Sequence, residues 1–297
     1  MSSVLSRATV TAVGLTCKAA LNTAFCSVAV NGLDNLKTAL ASPTRNNGQG
    51  VVTVSNHIST LDDPVTWGVL PASYYLSSRT TRWALGASDI MFTNPVFATF
   101  FRLGQTLETF RGKGVHQPAV DIAIQKLNQG DWVHLYGEGK VTQPEHYPRD
   151  KNGVASLRRF KWGVGRIIME TSTPPVVIPI WLTGFDKLMP EGRPFPYKYL
   201  PRPGAQLSVT FGSPIPSEEI QRALGEFGSS HRTPPDPPTP IHAQKPIGWI
   251  KDRLDKDVHP ASIRDEELVK IRAAVTAIVQ QAVESLGRSV CGDSLKR

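Results

Sequence analysis

The sequence predicts an α/β domain with a mixed central β-sheet flanked by helices. Three observations predict it. Runs such as Val51–Ser55, Trp132–Tyr136 and Val176–Leu182 have the length and the β-branched, aromatic content of buried strands. Between strands, Val120, Ala123, Ile124 and Leu127 recur at i, i+3, i+4 and i+7, the period of one helix face. Alternating strands and helices are the mark of an α/β layer fold. Third, Asn56-His57, Arg111-Gly112-Lys113 and Gly137-Glu138-Gly139 each follow a predicted strand. Ligands gather beyond the carboxyl ends of strands in such folds, so the shared placement points to one site.

Taken in order, the chain opens with residues 1–40, read as a membrane-anchoring or targeting segment. No acid precedes Asp34, and Ala8–Val30 carries Lys18 as its only charge. Thr9, Thr11, Thr16, Asn22, Thr23 and Ser27 dilute its hydrophobicity below that of a spanning helix. A secretory signal, a mitochondrial presequence and a helix packed on the core stay open, and an interfacial or re-entrant helix fits best. The domain itself is placed at 41–225. Strand Val51–Ser55 follows the Gly48–Gly50 turn, and a helix starts between Ser59 and Pro64 and reaches about Leu70. Trp83–Ala87 reads as a strand, Asp89–Leu103 as a helix despite Pro95, and Gly104–Phe110 as a strand. The next helix has Pro118 in its first turn and Gly130 as its stop. After strand Trp132–Tyr136 come helix Phe160–Glu170, strand Val176–Leu182 and strand Gln206–Phe211. Residues 226–260 read as a linker, since Arg232–Pro246 holds six prolines. In 261–297, Leu268, Ile271, Val275, Ile278, Val279 and Leu286 mark one face of an amphipathic helix.

Composition narrows the function. The 297 residues are 40% hydrophobic and 20% charged, which excludes wholesale disorder, collagen and a coiled-coil rod. Cys17, Cys26 and Cys291 form no disulfide framework, and neither they nor the seven histidines have metal-ligand spacing. The net charge of +8 asks for an anionic partner: nucleic acid, an acidic metabolite or an anionic membrane. Nucleic acid is the weakest of these, because the basic residues are not interleaved with aromatics on a recognisable module.

The segment Ser55-Asn56-His57-Ile58-Ser59-Thr60-Leu61-Asp62-Asp63-Pro64 carries the chemistry. On one straight helix, His57 and Asp62 would stand about 140° apart. They can meet only if His57 lies in the strand-to-helix loop and Asp62 in the first helical turn. Ser59 and Asp62 make an S-x-x-D pattern close to a capping box, which supports that shape. Asp62 could then hold one imidazole nitrogen and leave the other to take a proton, a base with its orienting partner. A strand-end histidine beside a capping carboxylate also occurs without catalysis, so the pair alone does not decide. The Gly-x-Ser-x-Gly motif of serine esterases is absent.

Asn56-His57-x4-Asp62 resembles the first block of the glycerolipid acyltransferase family. The likeness continues through Asp62-Asp63-Pro64, Trp67-Gly68, Phe100-Phe101-Arg102-Leu103-Gly104 and Lys126-Leu127-Asn128. It runs on through Gly130-Asp131-Trp132-Val133-His134, Glu138-Gly139-Lys140-Val141, Arg159–Arg166 and Pro179-Ile180-Trp181. The resemblance implies a glycerolipid acyltransferase-like sheet and acyl transfer onto a lysophospholipid hydroxyl, with His57 as base and Asp62 as its partner. It implies substrate-binding roles for Asn56, for Arg111 near an acceptor phosphate, for Glu138 at acceptor hydroxyls, and for Gly139, where backbone approaches the headgroup. The third block departs from the family's Pro-Glu-Gly-Thr-Arg: Gly137 stands for the proline, and Lys140-Val141 for Thr-Arg.

In the basic run Arg149, Lys151, Arg158, Arg159, Lys161 and Arg166, the last two are the better phosphate candidates, because they lie in a matched block. The alternative for the run is a solvated face. His134 reads as a packed mid-strand residue, and Val177–Ile180 as an acyl-channel wall or simply a core strand. The branch that the resemblance reaches furthest implies a transacylase that needs neither coenzyme A nor a cofactor. It would exchange acyl chains between phospholipids and lysophospholipids, remodelling anionic cardiolipin on a mitochondrial inner or outer membrane. An acyl-CoA-dependent lysophospholipid acyltransferase and a non-catalytic peripheral lipid binder are the alternatives.

Overall fold

In the computed structural model, which describes residues 3–23, 25–221, 248–249 and 265–292, seven strands form one sheet. They are β1 (Cys26–Asn31), β2 (Val51–Ser55), β3 (Trp83–Ala87), β4 (Thr106–Thr109), β5 (Trp132–Tyr136), β6 (Val176–Thr183) and β7 (Ala205–Phe211). Their order is β1-β7-β6-β2-β5-β3-β4. All neighbours are parallel except β6 and β7, where Ile180 faces Phe211 and Thr183 faces Ser208. Every residue of β2 is buried, as expected of a central parallel strand covered on both faces. Beside it, Trp132, Val133, Ile178 and Ile180 are fully enclosed.

The helices are α1 (Ser3–Asn22), α2 (Leu33–Ala41), α3 (Asp62–Thr66), α4 (Ser88–Met91), α5 (Pro95–Leu103), α6 (Pro118–Asn128), α7 (Gly163–Met169), α8 (Phe185–Leu188) and α9 (Asp265–Cys291). α6 buries Val120, Ala123, Ile124 and Leu127 as its period requires. Burying them at about 25 cal/mol per Å² is a main attachment of this helix to the sheet.

Several boundaries differ from the sequence reading. Ala8–Val30 is two elements: α1 ends at Asn22, and β1 pairs with β7 as an edge strand. The anchor boundary drawn at residue 40 therefore falls inside the fold. α1 is long and apolar enough by composition to cross a membrane, yet it packs closely on the chain. A Cβ at Gly14 would stand 2.8 Å from the Tyr75 ring, and one at Gly68 3.0 Å from the α1 backbone. The helix read at Asp89–Leu103 is broken at Asn94, whose side chain caps α5 by accepting from Phe97 N–H with Pro95 at the first position. The helix expected from Phe160 begins at Gly163, because Phe160 is a core plug and not a helical residue. The one expected to reach Leu70 ends at Thr66 and tightens into a 3₁₀ turn at Trp67–Val69. The linker 226–260 lies outside the described residues except Gly248 and Trp249. α9 is no appendage. Leu268, Ile271, Val275, Val279 and Val283 are buried, and the helix packs on α7, β6 and β2.

Candidate active site

β2 ends at Ser55, and Asn56 pins the exit. Its amide accepts from Leu182 N–H (2.9 Å) and donates to Leu182 C=O (3.0 Å) on β6. Asn56 is buried and spent on the β6 backbone and the Tyr147 hydroxyl (3.4 Å), so it holds the loop and does not reach outward. His57 follows with its main chain fixed at both ends. Its N–H donates to Glu138 Oε1 (3.2 Å), and its C=O accepts from Thr142 N–H (2.7 Å).

Asp62 opens α3 and turns back. Its Oδ2 accepts from His57 Nδ1 (2.9 Å), Ile58 N–H (2.6 Å) and Ser59 N–H (2.8 Å). The bond to Ser59 N–H is the carboxylate half of the capping box; the Ser59 hydroxyl accepts from Leu61 N–H instead of from Asp62. Burial pushes the Asp62 carboxyl up from its ordinary range, while the His57 contact and the two backbone donors pull it back. With Nδ1–H committed to Asp62, Nε2 is the basic nitrogen. It makes no hydrogen bond among the described residues, and the His57 side chain is 19% exposed. The ring plane is set by Tyr136, stacked at 4.0 Å and 23°. Sequence reasoning missed Tyr136, although its place at the end of β5 beside Glu138 was a usable signal.

Glu138 is buried, with Oε1 on His57 N–H and Oε2 on Arg158 N–H (3.4 Å). Burial pushes its carboxyl up to about 7 against those two donors. Its oxygens face main chain, so the expected grip on acceptor hydroxyls is not what this geometry displays. Glu138 ties the histidine loop to residues 157–161. Gly139 has φ +71°, and a Cβ there would stand 3.0 Å from the Lys161 stem. Lys161 therefore lies across the turn, and its backbone donates to Gly137 C=O (2.8 Å). Gly137 is explained by packing: a Cβ there would stand 2.3 Å from the Phe160 ring.

Two of the expected phosphate ligands are placed differently. Arg166 is buried and fully occupied: Nε donates to Glu170 (2.9 Å), and the terminal nitrogens to Asp121 (2.6 Å) and Val115 C=O (2.8 Å). Taking up a phosphate would break this network, so Arg166 serves the fold. Arg111 follows β4 at the surface and pairs with Asp89 through Nε (3.1 Å). An anion would have to compete with that exposed ion pair, a weak constraint. His134 is packed, with Nδ1 against Thr53 Oγ1 (2.8 Å) and Nε2 near Ser55 Oγ (3.4 Å). Burial pushes it down to about 3, so it is neutral. The neighbouring Asp63 receives Arg82 Nε (2.9 Å) and Trp67 Nε1 (3.0 Å), anchoring α3. No group of His, Cys, Asp and Glu side chains among the described residues could hold a metal ion.

Comparison with known proteins identifies the family. A family model described as Acyltransferase matches residues 27–183. Tafazzin of Saccharomyces cerevisiae is 34% identical over 286 residues, covering 85% of this chain and 72% of the yeast protein. The chain belongs to the acyltransferase family, in its tafazzin branch. Taffazin of Dictyostelium discoideum is 35% identical, covering 73% of this chain and 71% of its own. An N-acylphosphatidylethanolamine synthase of Arabidopsis thaliana is 37% identical, with 69% of each chain covered. The crystal structure of a 1-acyl-sn-glycerophosphate acyltransferase from Thermotoga maritima shares the fold, with a TM-score of 0.50 at 17% identity. That match covers 94% of this chain and 79% of the other.

Proposed function

We propose that this acyltransferase moves an acyl chain from a phospholipid to a lysophospholipid without coenzyme A, remodelling cardiolipin on a mitochondrial membrane. One observation carries the chemistry: His57 Nδ1 is bound to a buried carboxylate, while Nε2 has no hydrogen-bond partner among the described residues and the side chain is partly exposed. Nε2 takes the proton of the lysolipid hydroxyl as its oxygen attacks the donor ester carbonyl. The Asp62 carboxylate balances the imidazolium. The donor C–O bond then breaks, and the departing alkoxide takes the proton back from Nε2. A new ester and a new lysolipid leave, with no protein nucleophile involved. A positioned base of this kind contributes roughly 10²–10⁴-fold. His57 and Asp62 are the catalytic residues of this reading. Asn56, Glu138 and Tyr136 position them, and Gly139, Lys161 and Arg111 face the acceptor headgroup. The length and apolar composition of α1 support contact with the bilayer that holds the lipid substrates.

The test is an acyl-exchange assay with defined lipids, followed by mass spectrometry. Exchange between phosphatidylcholine and lysocardiolipin without acyl-CoA is expected, and His57→Ala abolishes it. A strict need for acyl-CoA sinks the transacylase reading. The Arabidopsis relative motivates a second acceptor, the amine of phosphatidylethanolamine; an N-acyl product in the same assay would favour it.

A further inference from the structure

We propose that the carboxyl-end face of the sheet is the membrane-docking surface. Two apolar prominences, one on each side of His57, seat it on an anionic phospholipid bilayer. The docking is read from topology and exposure. Only the purpose of turning His57 toward lipid rests on the acyl-transfer reading.

Strands β2, β3, β4, β5 and β6 are parallel, so their carboxyl ends lie together. His57 follows β2 at that end, and Glu138 follows β5. From the ends of β3 and β4 emerge α4, the start of α5 and Phe110. From the end of β6 emerges the excursion 184–204, because β7 returns antiparallel from the same end. In the sheet order, β3 and β4 stand on one side of the β2–β5 pair and β6 on the other. The two excursions therefore flank the histidine.

Both are apolar and solvent-facing. Ile90, Phe97 and Phe110 are 61%, 51% and 44% exposed on one side; Phe195, Tyr197 and Tyr199 are 77%, 60% and 65% exposed on the other. Clustered apolar exposure of this kind marks an interaction site. The 184–204 excursion is anchored to the histidine loop. The buried Gln143 donates to Ile58 C=O (3.3 Å) and Met189 C=O (3.1 Å), and accepts from Glu191 N–H (3.2 Å).

Charge selects the occupant. Residues 193–202 contain Arg193, Lys198 and Arg202 and no acid; on the other side Lys113 follows Phe110, while Arg111 is balanced by its ion pair with Asp89. The Lys198 ammonium lies 4.9 Å from the Tyr199 ring centre. Aromatic rings interleaved with cations suit the headgroup level of an anionic bilayer. A protein seated across both prominences would instead cover His57. The turns at the opposite end of the sheet carry Arg45, Asn46, Asn47, Gln49 and Gln129, a polar set without such a pattern.

Hydrogen exchange of the full chain, with and without vesicles of phosphatidylcholine doped with phosphatidylglycerol, tests this. Slower exchange is expected in 88–101, 108–113 and 193–202 together, with 44–49 unchanged. Protection confined to 3–22, to one prominence or to neither overturns the proposal. So does protection of these peptides by self-association without lipid. Replacing Phe195, Tyr197 and Tyr199 by serine is expected to lower vesicle partitioning by about tenfold or more; unchanged partitioning also overturns it. Acyl exchange by the wild-type protein on detergent-dispersed lipids reads the chemistry separately. Exchange without docking sinks this inference alone, and docking without exchange sinks the proposed reaction alone.

Discussion

Gly137→Ala isolates a close contact under the active-site turn. Gly137 has no left-handed φ, so alanine meets no backbone penalty and the effect is one of space. The added Cβ would sit 2.3 Å from Phe160 Cδ2 and 2.5 Å from its Cγ, where ordinary contact begins near 3.4 Å. The ring must retreat by about 1 Å in a close-packed interior. It has little room, since Phe160 is 1% exposed. Its N–H is held by Gln280 of α9 (3.0 Å), and the next residue's N–H by Gly137 itself (2.8 Å). Overpacking of this kind costs about 1–3 kcal/mol. Activity should fall as well, because Arg158 and Glu138 move with the ring. The assay is a double-mutant cycle of urea unfolding with Phe160→Ala. In that background, where the obstructing ring is gone, Gly137→Ala should cost nothing or stabilise by a few tenths of a kcal/mol. The coupling energy is then about 1–3 kcal/mol. Additivity within about 0.5 kcal/mol would show that Gly137 is not there to make room for Phe160.

Other substitutions test other contacts. Asp62→Asn keeps a carbonyl for the three donors on Oδ2 but removes the charge that balances imidazolium; transfer should drop by about 10²–10⁴-fold in a folded protein. Asp62→Ala leaves His57, Ile58 and Ser59 donors unpaired and should also lose about 3 kcal/mol or more in urea unfolding. Glu138 keeps its proton up to about pH 7 when folded, against an ordinary value of 4.5. The folded state thus holds the extra proton between those values, and stability falls as pH rises through that window, by about 3 kcal/mol. Glu138→Gln removes this slope, so the difference between the two stability–pH curves should decline from pH 4.5 to 7 and be flat on either side; a flat difference throughout refutes the buried-carboxyl assignment. Gln280→Leu frees the Phe160 N–H far from the reacting atoms. It is expected to lower kcat several-fold with little change in KM, and an unaltered kcat would uncouple α9 from His57.

The features legible in the sequence were those settled by neighbours along the chain. β2, β5 and β6 follow from short β-branched runs, and α6 from four apolar positions in one helical period. The dyad was legible because five residues separate His57 from Asp62, and only one loop geometry lets them touch. Features settled across the sheet were not. Arg166 looked like a phosphate ligand because its block is basic. Its partners Asp121 and Val115 lie 45 and 51 residues away, although Glu170 at i+4 was a visible hint. Gly137 departs from the family's proline, and only the Phe160 ring packed against it explains the glycine. The periodicity of α9 was plain, but nothing local announced that Gln280 and Glu284 would accept from Phe160 and Leu157 N–H groups. In Ala8–Val30, uniform low charge hid the change from helix to strand; the alternation in Cys26–Asn31 was the overlooked signal.

These long-range contacts converge on one demand of the chemistry. In the proposed reaction no serine or cysteine forms an acyl-enzyme, so transfer depends on how well one imidazole is aimed. A histidine has its main chain, its ring rotation and its tautomer to fix, and separate segments fix each. Glu138 and Thr142 hold the main chain, Tyr136 holds the ring plane, and Asp62 selects the tautomer. Glu138 is itself held by Arg158 N–H, and that segment is held by α9 through Leu157 and Phe160. A helix near residue 280 is therefore three hydrogen bonds from the base. Breaking only its Gln280 and Glu284 contacts should disturb the aim of His57 before it disturbs the sheet, since those hydrogen bonds end on Phe160 and Leu157 and not on β2, β5 or β6.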